Sequence, residues 1–505
     1  MKFQVLSYVR KLNPGSVINY DDTFFLVEDN WNDCGFYTLF NLYSWINRKL
    51  QYIGMVKIGR FGLEKGKVEI PYSFDELSKE YFSLGQSIEY YEYFANMEDG
   101  KAALSALRDY VVESNQTRLR NIKKEEVFRR SLRRWDENKE QTINEYKQVL
   151  NVSREKTNNY SIRYNYNNLT LDFDVEKDSF PPTNLHILTG RNGVGKSWLL
   201  LNMIKNLIGK SNDLKWHNNY GIQNFSKVIH INLSPFSFDN MENHSILPYH
   251  YLGIESPKKE SSLNINEHNI RDINKSINRV YIGKFKNYMM LISKADKFDL
   301  WAKFVDCLES DPVLKSLNLS KRIVKDDIFS CNIDCTLLKL FSELSDGHKS
   351  LLLIISCLIA HVSERTIVFI DEPEAHLHPP LVSILIRSII DILKVRNGVG
   401  IMVTHSPVVL QEIPKDCIWI LTRYGGESIA KRPIMETFAE NINNIMAEQF
   451  GLQLQNSGFY YYIKKAVKLC DSEEDALKLF KNRLGWEGQI LIKMLFSNKR
   501  NKNEH

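Results

Sequence analysis

The sequence of 505 residues predicts an α/β fold whose principal unit is a doubly wound, largely parallel sheet. Three observations predict it. Five short apolar runs, Leu185–Leu188, Val228–Ile231, Ile367–Ile370, Ile401–Val403 and Ile418–Leu421, are separated mostly by helical patterns. Bounded runs of this kind suit strands buried on both faces, and helical crossovers are how parallel strands are joined. Between the strand NLHILT and the apolar helix SWLLLNMIKNLI stands a glycine-rich loop, Gly190 to Ser197 (GRNGVGKS). A second apolar strand, Thr366–Ile370, ends in two carboxylates, Asp371 and Glu372. Both features fall at the C-terminal ends of strands, where ligands of such sheets bind.

The elements follow in order. Residues 1–160 read as an N-terminal lobe. Its first 70 residues mix β-branched and aromatic types with turn signals at Asn13-Pro14-Gly15 and Asn30 to Asp33, which predicts short strands of an antiparallel sheet. Ser73-Phe74-Asp75-Glu76 has the form of a capping box, so a helix is expected to open at Ser73, with helical segments continuing to about residue 155. Residues 101–160 hold 14 Lys/Arg against 9 Asp/Glu, an excess equal to that of the whole chain (+5). The densest part, Arg118 to Trp135, forms a basic arm. Arg129 and Arg133, and Arg130 and Arg134, would lie one turn apart on a helix. Such a run is either a solvated face or a contact for nucleic-acid phosphates. Residues 161–176 alternate apolar and polar, as exposed strands would.

Residues 161–239 form the lobe of the glycine-rich loop, 240–335 an insertion of polar helices, 336–440 the rest of the sheet domain, and 441–505 a C-terminal helical segment. The composition, 43% hydrophobic and 25% charged, excludes a collagen-like or wholly disordered chain. Seven scattered cysteines argue for a reducing compartment, and Cys331 and Cys335 read as ordinary thiols. The N-terminus lacks the apolar stretch of a signal peptide. The longest apolar run, Leu351 to Ala360, is too short to cross a bilayer and reads as a buried helix. A cytoplasmic protein with no membrane partner is expected.

The chemistry rests on four motifs. Gly190, Arg191, Asn192, Gly193, Val194, Gly195, Lys196 and Ser197 fit G-x-x-x-x-G-K-[ST] in the strand–loop–helix context that motif needs. Its glycines let backbone N–H groups face phosphate oxygens at a helix N-terminus. Lys196 reaches the terminal phosphates and Ser197 can ligate Mg²⁺. Asp371 can hold Mg²⁺, and Glu372 can activate the attacking water; by themselves the pair could equally cap a helix. Ser345 and Gly347, in LSDGHKS, open an apolar helix as an anion site or as a plain N-cap. His405, in VTHSP, ends the next strand and can bond a phosphate or a water.

The order of P-loop, LSDGHKS, FIDEPEAHLHP and VTHSP over roughly residues 160–430 resembles an ABC-type ATPase of the RecF, SMC and OLD branch. DEPEAHLHP followed by THSP is particularly similar to the AAA-15/AAA-21 type of bacterial defence ATPases. NWNDCGFYTLFNLY and Arg432 to Phe438 resemble the PtuA-type ATPase of Septu systems and of retrons that carry a Septu cassette. The resemblance implies an ABC-type P-loop ATPase head using ATP and Mg²⁺. It assigns Ser197 and Asp371 to the metal, Glu372 as catalytic base, His405 as switch histidine, and Lys196 to the phosphates. Ser345 and Gly347 would contact the γ-phosphate held by a second protomer, so two heads would sandwich ATP in a homodimer or higher oligomer. His348 stands where transporters have Gln, and Leu233-Ser234-Pro235-Phe236 offers no Q-loop Gln. His376 and His378 would lie in the D-loop at the dimer interface. The residues after His405 are too few for a toprim nuclease, so any nuclease would be another chain.

The expected function is therefore that of an ATP-hydrolysing subunit of an anti-phage complex. It would hold an HNH-type nuclease and, in a retron, a reverse transcriptase with its DNA–RNA product, with nucleic acid as a further partner. A RecF/SMC-like repair ATPase, a transporter nucleotide-binding subunit and a non-hydrolysing regulatory module are the alternatives.

Overall fold

The computed structural model describes residues 2–503 apart from 10–11, 19, 21, 134–138, 152–158, 210–215, 219–224, 234–246, 254–266, 296, 309–310, 318–336, 376, 425–426, 451–457 and 482. In the N-terminal lobe, strands β1 (Lys2–Leu6), β2 (Thr23–Glu28), β4 (Leu39–Ile46), β5 (Lys49–Arg60), β7 (Ser73–Phe74) and β8 (Tyr81–Gly85) form one sheet, in the order β7-β1-β2-β4-β5-β8. Short strands β3 (Phe36–Tyr37) and β6 (Gly66–Lys67) pair beside it. The expected antiparallel sheet holds except at β1–β2, which is parallel because the chain crosses over through the turn of helix Pro14–Val17. Helices Ile88–Asn96, Gly100–Ala106, Gln116–Lys124 and Lys139–Asn151 close a strongly aromatic core that includes Phe3, Phe24, Phe82, Tyr90 and Phe128.

Two local expectations fail here. Ser73 opens no helix. Ser73 and Phe74 pair with Gln4 and Phe3, and the Phe74 ring stacks on Phe3 at 5.1 Å. Strand pairing and ring burial together outweigh one local cap. The basic arm is not a straight stripe either. Arg118 turns inward and donates to the carbonyls of Lys79 and Tyr81. A π-helical turn at Phe128–Leu132 then changes the angular step, so that Arg133 is buried over the Phe128 ring while Arg129 and Arg130 stay exposed. Arg134 lies outside the described residues.

The principal sheet collects β11 (Leu185–Gly190), β13 (Lys227–Asn232), β14 (Tyr249–Gly253), β15 (Thr366–Asp371), β16 (Val399–Val403), β17 (Ile418–Tyr424) and β18 (Glu427–Lys431), in the order β14-β13-β15-β16-β11-β17-β18. All pairs are parallel except the edge pair β17–β18. The five apolar runs are five neighbouring strands of this α/β sheet, as their composition requires. One strand, β14, falls inside the stretch expected to be a helical insertion. Strands β9 (Tyr160–Tyr166) and β10 (Leu169–Val175), with β12 (Trp216–Asn218), make a small sheet. β9 and β10 are half-buried rather than exposed: Ile162, Tyr164, Leu171 and Phe173 belong to one apolar core with Leu200 and Ile204 of the helix Lys196–Leu207. The other face of the large sheet carries helices Glu267–Lys294, Phe298–Leu308, Asp346–His361 and Pro379–Val395, joined in one apolar core. Among the described residues, no helix is long and apolar enough to cross a membrane.

The N-terminal lobe docks on the edge of the sheet opposite the phosphate loop. Glu145 pairs with Lys227 (2.8 Å), the first residue of β13. Glu92 pairs with Arg396 (2.7 Å) and accepts from the Glu364 N–H (3.0 Å), just ahead of β16 and β15. Glu89 pairs with Lys297 (2.5 Å). The C-terminal edge, where the motifs converge, is left free of that lobe.

Candidate active site

β11 delivers the glycine-rich loop. Gly190 has φ +145°, and a Cβ on it would sit 2.3 Å from the Leu421 carbonyl of the neighbouring strand, so no other residue fits. Gly195, at φ +96°, makes the left-handed step into the helix Lys196–Leu207. Arg191, Asn192 and Gly193 are exposed, while Val194 packs partly on the core behind the loop. Lys196 is folded back, its Nζ donating to the carbonyls of Gly190 (3.0 Å) and Arg191 (3.2 Å). Burial pulls its pKa down, against the pull of Glu372, Asp371 and Glu374.

β15 lies two strands away, separated from β11 by β16. It brings Asp371 against the loop: Ser197 Oγ donates to Asp371 Oδ1 at 3.1 Å. Burial raises Asp371 to about 6, although the Ser197 bond opposes the shift. Glu372 adopts φ +42°, sparsely populated for a residue with a side chain, while its N–H still donates to Val403 O (3.0 Å). Its Oε1 is 3.1 Å from His405 Nδ1, at the end of β16. Glu374, also raised by burial, accepts from Thr404 Oγ1. The residues predicted from the P-loop, the Asp371 strand and the histidine loop thus meet at one edge of the sheet.

Ser345 and Gly347 belong elsewhere. Ser345 caps the helix Asp346–His361, accepting from the His348 N–H, and its Oγ lies 2.7 Å from His348 Nδ1. Ser345 is exposed and Gly347 is buried in the first turn. Among the described residues, no hydrogen bond or ion pair joins either to the phosphate loop. Leu233 packs at the rim of the core, whereas Ser234 to Phe236 and His376 lie outside the described residues. His378 stands at the N-cap of Pro379–Val395, and the described residues contain no cluster that could hold a metal through His, Cys, Asp and Glu alone.

Comparison with known proteins finds relatives of this chain. Residues 340–411, which span Ser345, Asp371, Glu372 and His405, match the family described as "AAA domain, putative AbiEii toxin, Type IV TA system". Protein ea59 of Escherichia phage lambda is 32% identical over 516 aligned positions, covering 94% of this chain and 95% of that protein. The chain belongs to the ea59 family. Two solved structures are also similar. An inward-facing ABC transporter described as metal-chelate type has a TM-score of 0.27 and 15% identity over 58% of this chain and 88% of that one. An ATP-binding cassette of an ABC transporter has a TM-score of 0.28 and 14% identity over 59% and 96%. This ea59-family head is an α/β fold with a glycine-rich P-loop sequence between a parallel strand and a helix.

The residues fit a magnesium nucleotide. A hydroxyl and a carboxylate 3.1 Å apart are the hard oxygen donors that Mg²⁺ takes. Three carboxylates, Asp371, Glu372 and Glu374, face one lysine, and two are raised by burial, so the site in this ea59-family chain is short of positive charge. Sequence reasoning missed Glu374 and Thr404. Their signal was the second glutamate of DEPE and the threonine ahead of His405. It also missed Gln449 of the helix Ile442–Phe450, which is buried and donates to Thr189 Oγ1 directly before Gly190.

Proposed function

We propose that the chain binds ATP with Mg²⁺ and hydrolyses it, and that the bound and hydrolysed states control a separate nuclease in an anti-phage complex. The observation that carries the reading is the convergence of Ser197–Asp371 and Glu372–His405 beside a glycine loop open to phosphate. The loop N–H groups and the N-terminus of the helix Lys196–Leu207 receive the phosphates. Lys196 leaves the carbonyls of Gly190 and Arg191 for the terminal phosphates. Ser197 and Asp371 hold Mg²⁺, which would supply charge neutralisation on those phosphates. Glu372 takes the proton of the attacking water, and His405 holds its carboxylate in place.

Exposed Ser345, capping a helix away from the loop, suits a contact to the nucleotide of a second protomer. Two heads would then share two ATP molecules. An HNH-type nuclease, and in a retron setting a reverse transcriptase with its DNA–RNA product, would ride on this switch. The resemblance of DEPEAHLHP and THSP to defence ATPases supports that part of the proposal. Mixing Ser345→Arg and Lys196→Ala protomers tests the shared site. Each is expected to be inactive alone, because one blocks the partner's site and the other loses the phosphate lysine. A mixed dimer retains one intact site, so partial turnover should return. No recovery at any ratio contradicts the sandwich.

A further inference from the structure

The C-terminal helices Phe459–Leu469, Glu473–Leu479 and Trp486–Asn503 build a small core of their own around Ile463, Ala466, Ile492 and Phe496. What they leave outside is unusual. Phe459 is 58% exposed, Tyr461 55%, Tyr462 64% and Trp486 78%. The last helix packs on the first near Gly488, where a Cβ would lie 3.4 Å from Ile463 Cδ1. Tyr461 and Tyr462 stand edge to face at 5.5 Å, so their outer faces stay open.

The helix FYYYIKKAVKL has three lysines and no carboxylate. Lys465 and Lys468 are exposed, and among the described residues neither has a carboxylate partner. Two of the lobe's acids are engaged elsewhere, Asp475 with Lys478 and Glu473 with Lys493. On the helical wheel Tyr461, Lys465 and Lys468 fall on one face, with Tyr462 beside them, opposite buried Ile463, Ala466 and Val467. Wet aromatic faces interleaved with cations suit a ligand of flat apolar rings strung on an anionic backbone.

We propose that this face binds single-stranded nucleic acid, with bases stacked on Tyr461 and Tyr462 and phosphates met by Lys465 and Lys468. A duplex, whose bases are already stacked inside, offers the rings nothing. The proposal stands apart from the nucleotide site, since none of these residues touches it.

The test is fluorescence anisotropy of labelled oligo(dT), oligo(U) and a duplex with the full chain, at several salt concentrations. The single strands should bind more tightly than the duplex, and whichever of the two binds better names the sugar preferred. Tyr461→Ala and Tyr462→Ala should each weaken single-strand binding on the order of tenfold. Tyr461→Phe and Tyr462→Phe, which keep the rings, should bind as the parent. Lys465→Glu with Lys468→Glu should flatten the salt slope by about 1.4, the release expected for two phosphates on a single strand. ATP turnover should be unchanged in all of them. Unaltered affinity in the alanine variants, or equal affinity for the duplex, overturns the proposal. So does sedimentation showing that the alanine variants dissociate a dimer while oligonucleotide binding persists, because the face would then belong to a second copy.

Discussion

Two of the places where the molecule buries charge are built differently. In the N-terminal lobe, Lys57 and Asp33 are each about 1% exposed and lie 2.5 Å apart. Lys57 also donates to Ser131 O, while Ser131 Oγ and Trp31 Nε1 donate to Asp33. A cation and an anion meet there directly, with hydrogen bonds to both. At the sheet edge, Lys196 faces Asp371, Glu372 and Glu374, and Glu374 Oε2 has no hydrogen-bond partner among the described residues. The closed, paired cluster braces the π-helical turn against the lobe's sheet. The open, acidic one gathers three carboxylates around Lys196. Charge balance and access, rather than burial alone, separate structure from chemistry.

The largest expected effect breaks the first cluster. Lys57→Met leaves Asp33 buried without its cation, a loss of about 3–5 kcal/mol in stability. Denaturant unfolding measures it, and a loss below about 1 kcal/mol would mean the pair is not a brace. ATP binding by the molecules that remain folded should be unaffected.

The next effect sharpens the comparison through pH. In the N-terminal lobe, burial lifts Asp109 to about 7, opposed by its bonds from Val111 N–H and Tyr91 OH. Its folded value is raised, so its contribution is present below about pH 4 and is lost as pH rises through about 7. In the ATPase core, burial lowers His186, His230 and His250 to about 3. Their folded values are depressed, so their contribution is present above about pH 6.5 and is lost as pH falls toward 3. Hydrogen exchange across that range should show the two regions weakening in opposite directions. Asp109→Asn should flatten the N-terminal response alone; a parallel response in both regions would contradict the assignment.

The smallest effect is the mirror image of the first. Asp371→Asn removes one carboxylate from an acid-rich site, so the nucleotide-free protein should be unchanged or more stable by on the order of 1 kcal/mol. Mg²⁺-dependent turnover should nevertheless collapse. A large destabilisation of the free protein would place Asp371 with Asp33, as a structural charge.

Much of the sheet was legible because continuous apolar runs such as Ile367–Ile370 have few ways to be buried. The loop was legible because Gly190 and Gly195 occupy backbone positions that other residues resist. What escaped depended on distant partners. Ser73 obeys the edge of β1 rather than its own capping box, since Phe74 finds Phe3. Arg133 turns inward because a π-turn shifts the register, which hydrophobic period does not announce. Glu374 and Gln449 gain their places from Thr404 and Thr189, residues far from them in the chain.

The central claim is that the open cluster performs hydrolysis, and single-turnover kinetics of Glu372→Gln test it most directly. The variant should bind Mg²⁺·ATP as the parent does and cleave it on the order of 10²–10⁴-fold more slowly, the worth of a positioned base. Uncleaved ATP should remain on the protein after rapid gel filtration. Cleavage at the parental rate, with ADP recovered from the protein, would remove Glu372 from the chemistry and contradict the account.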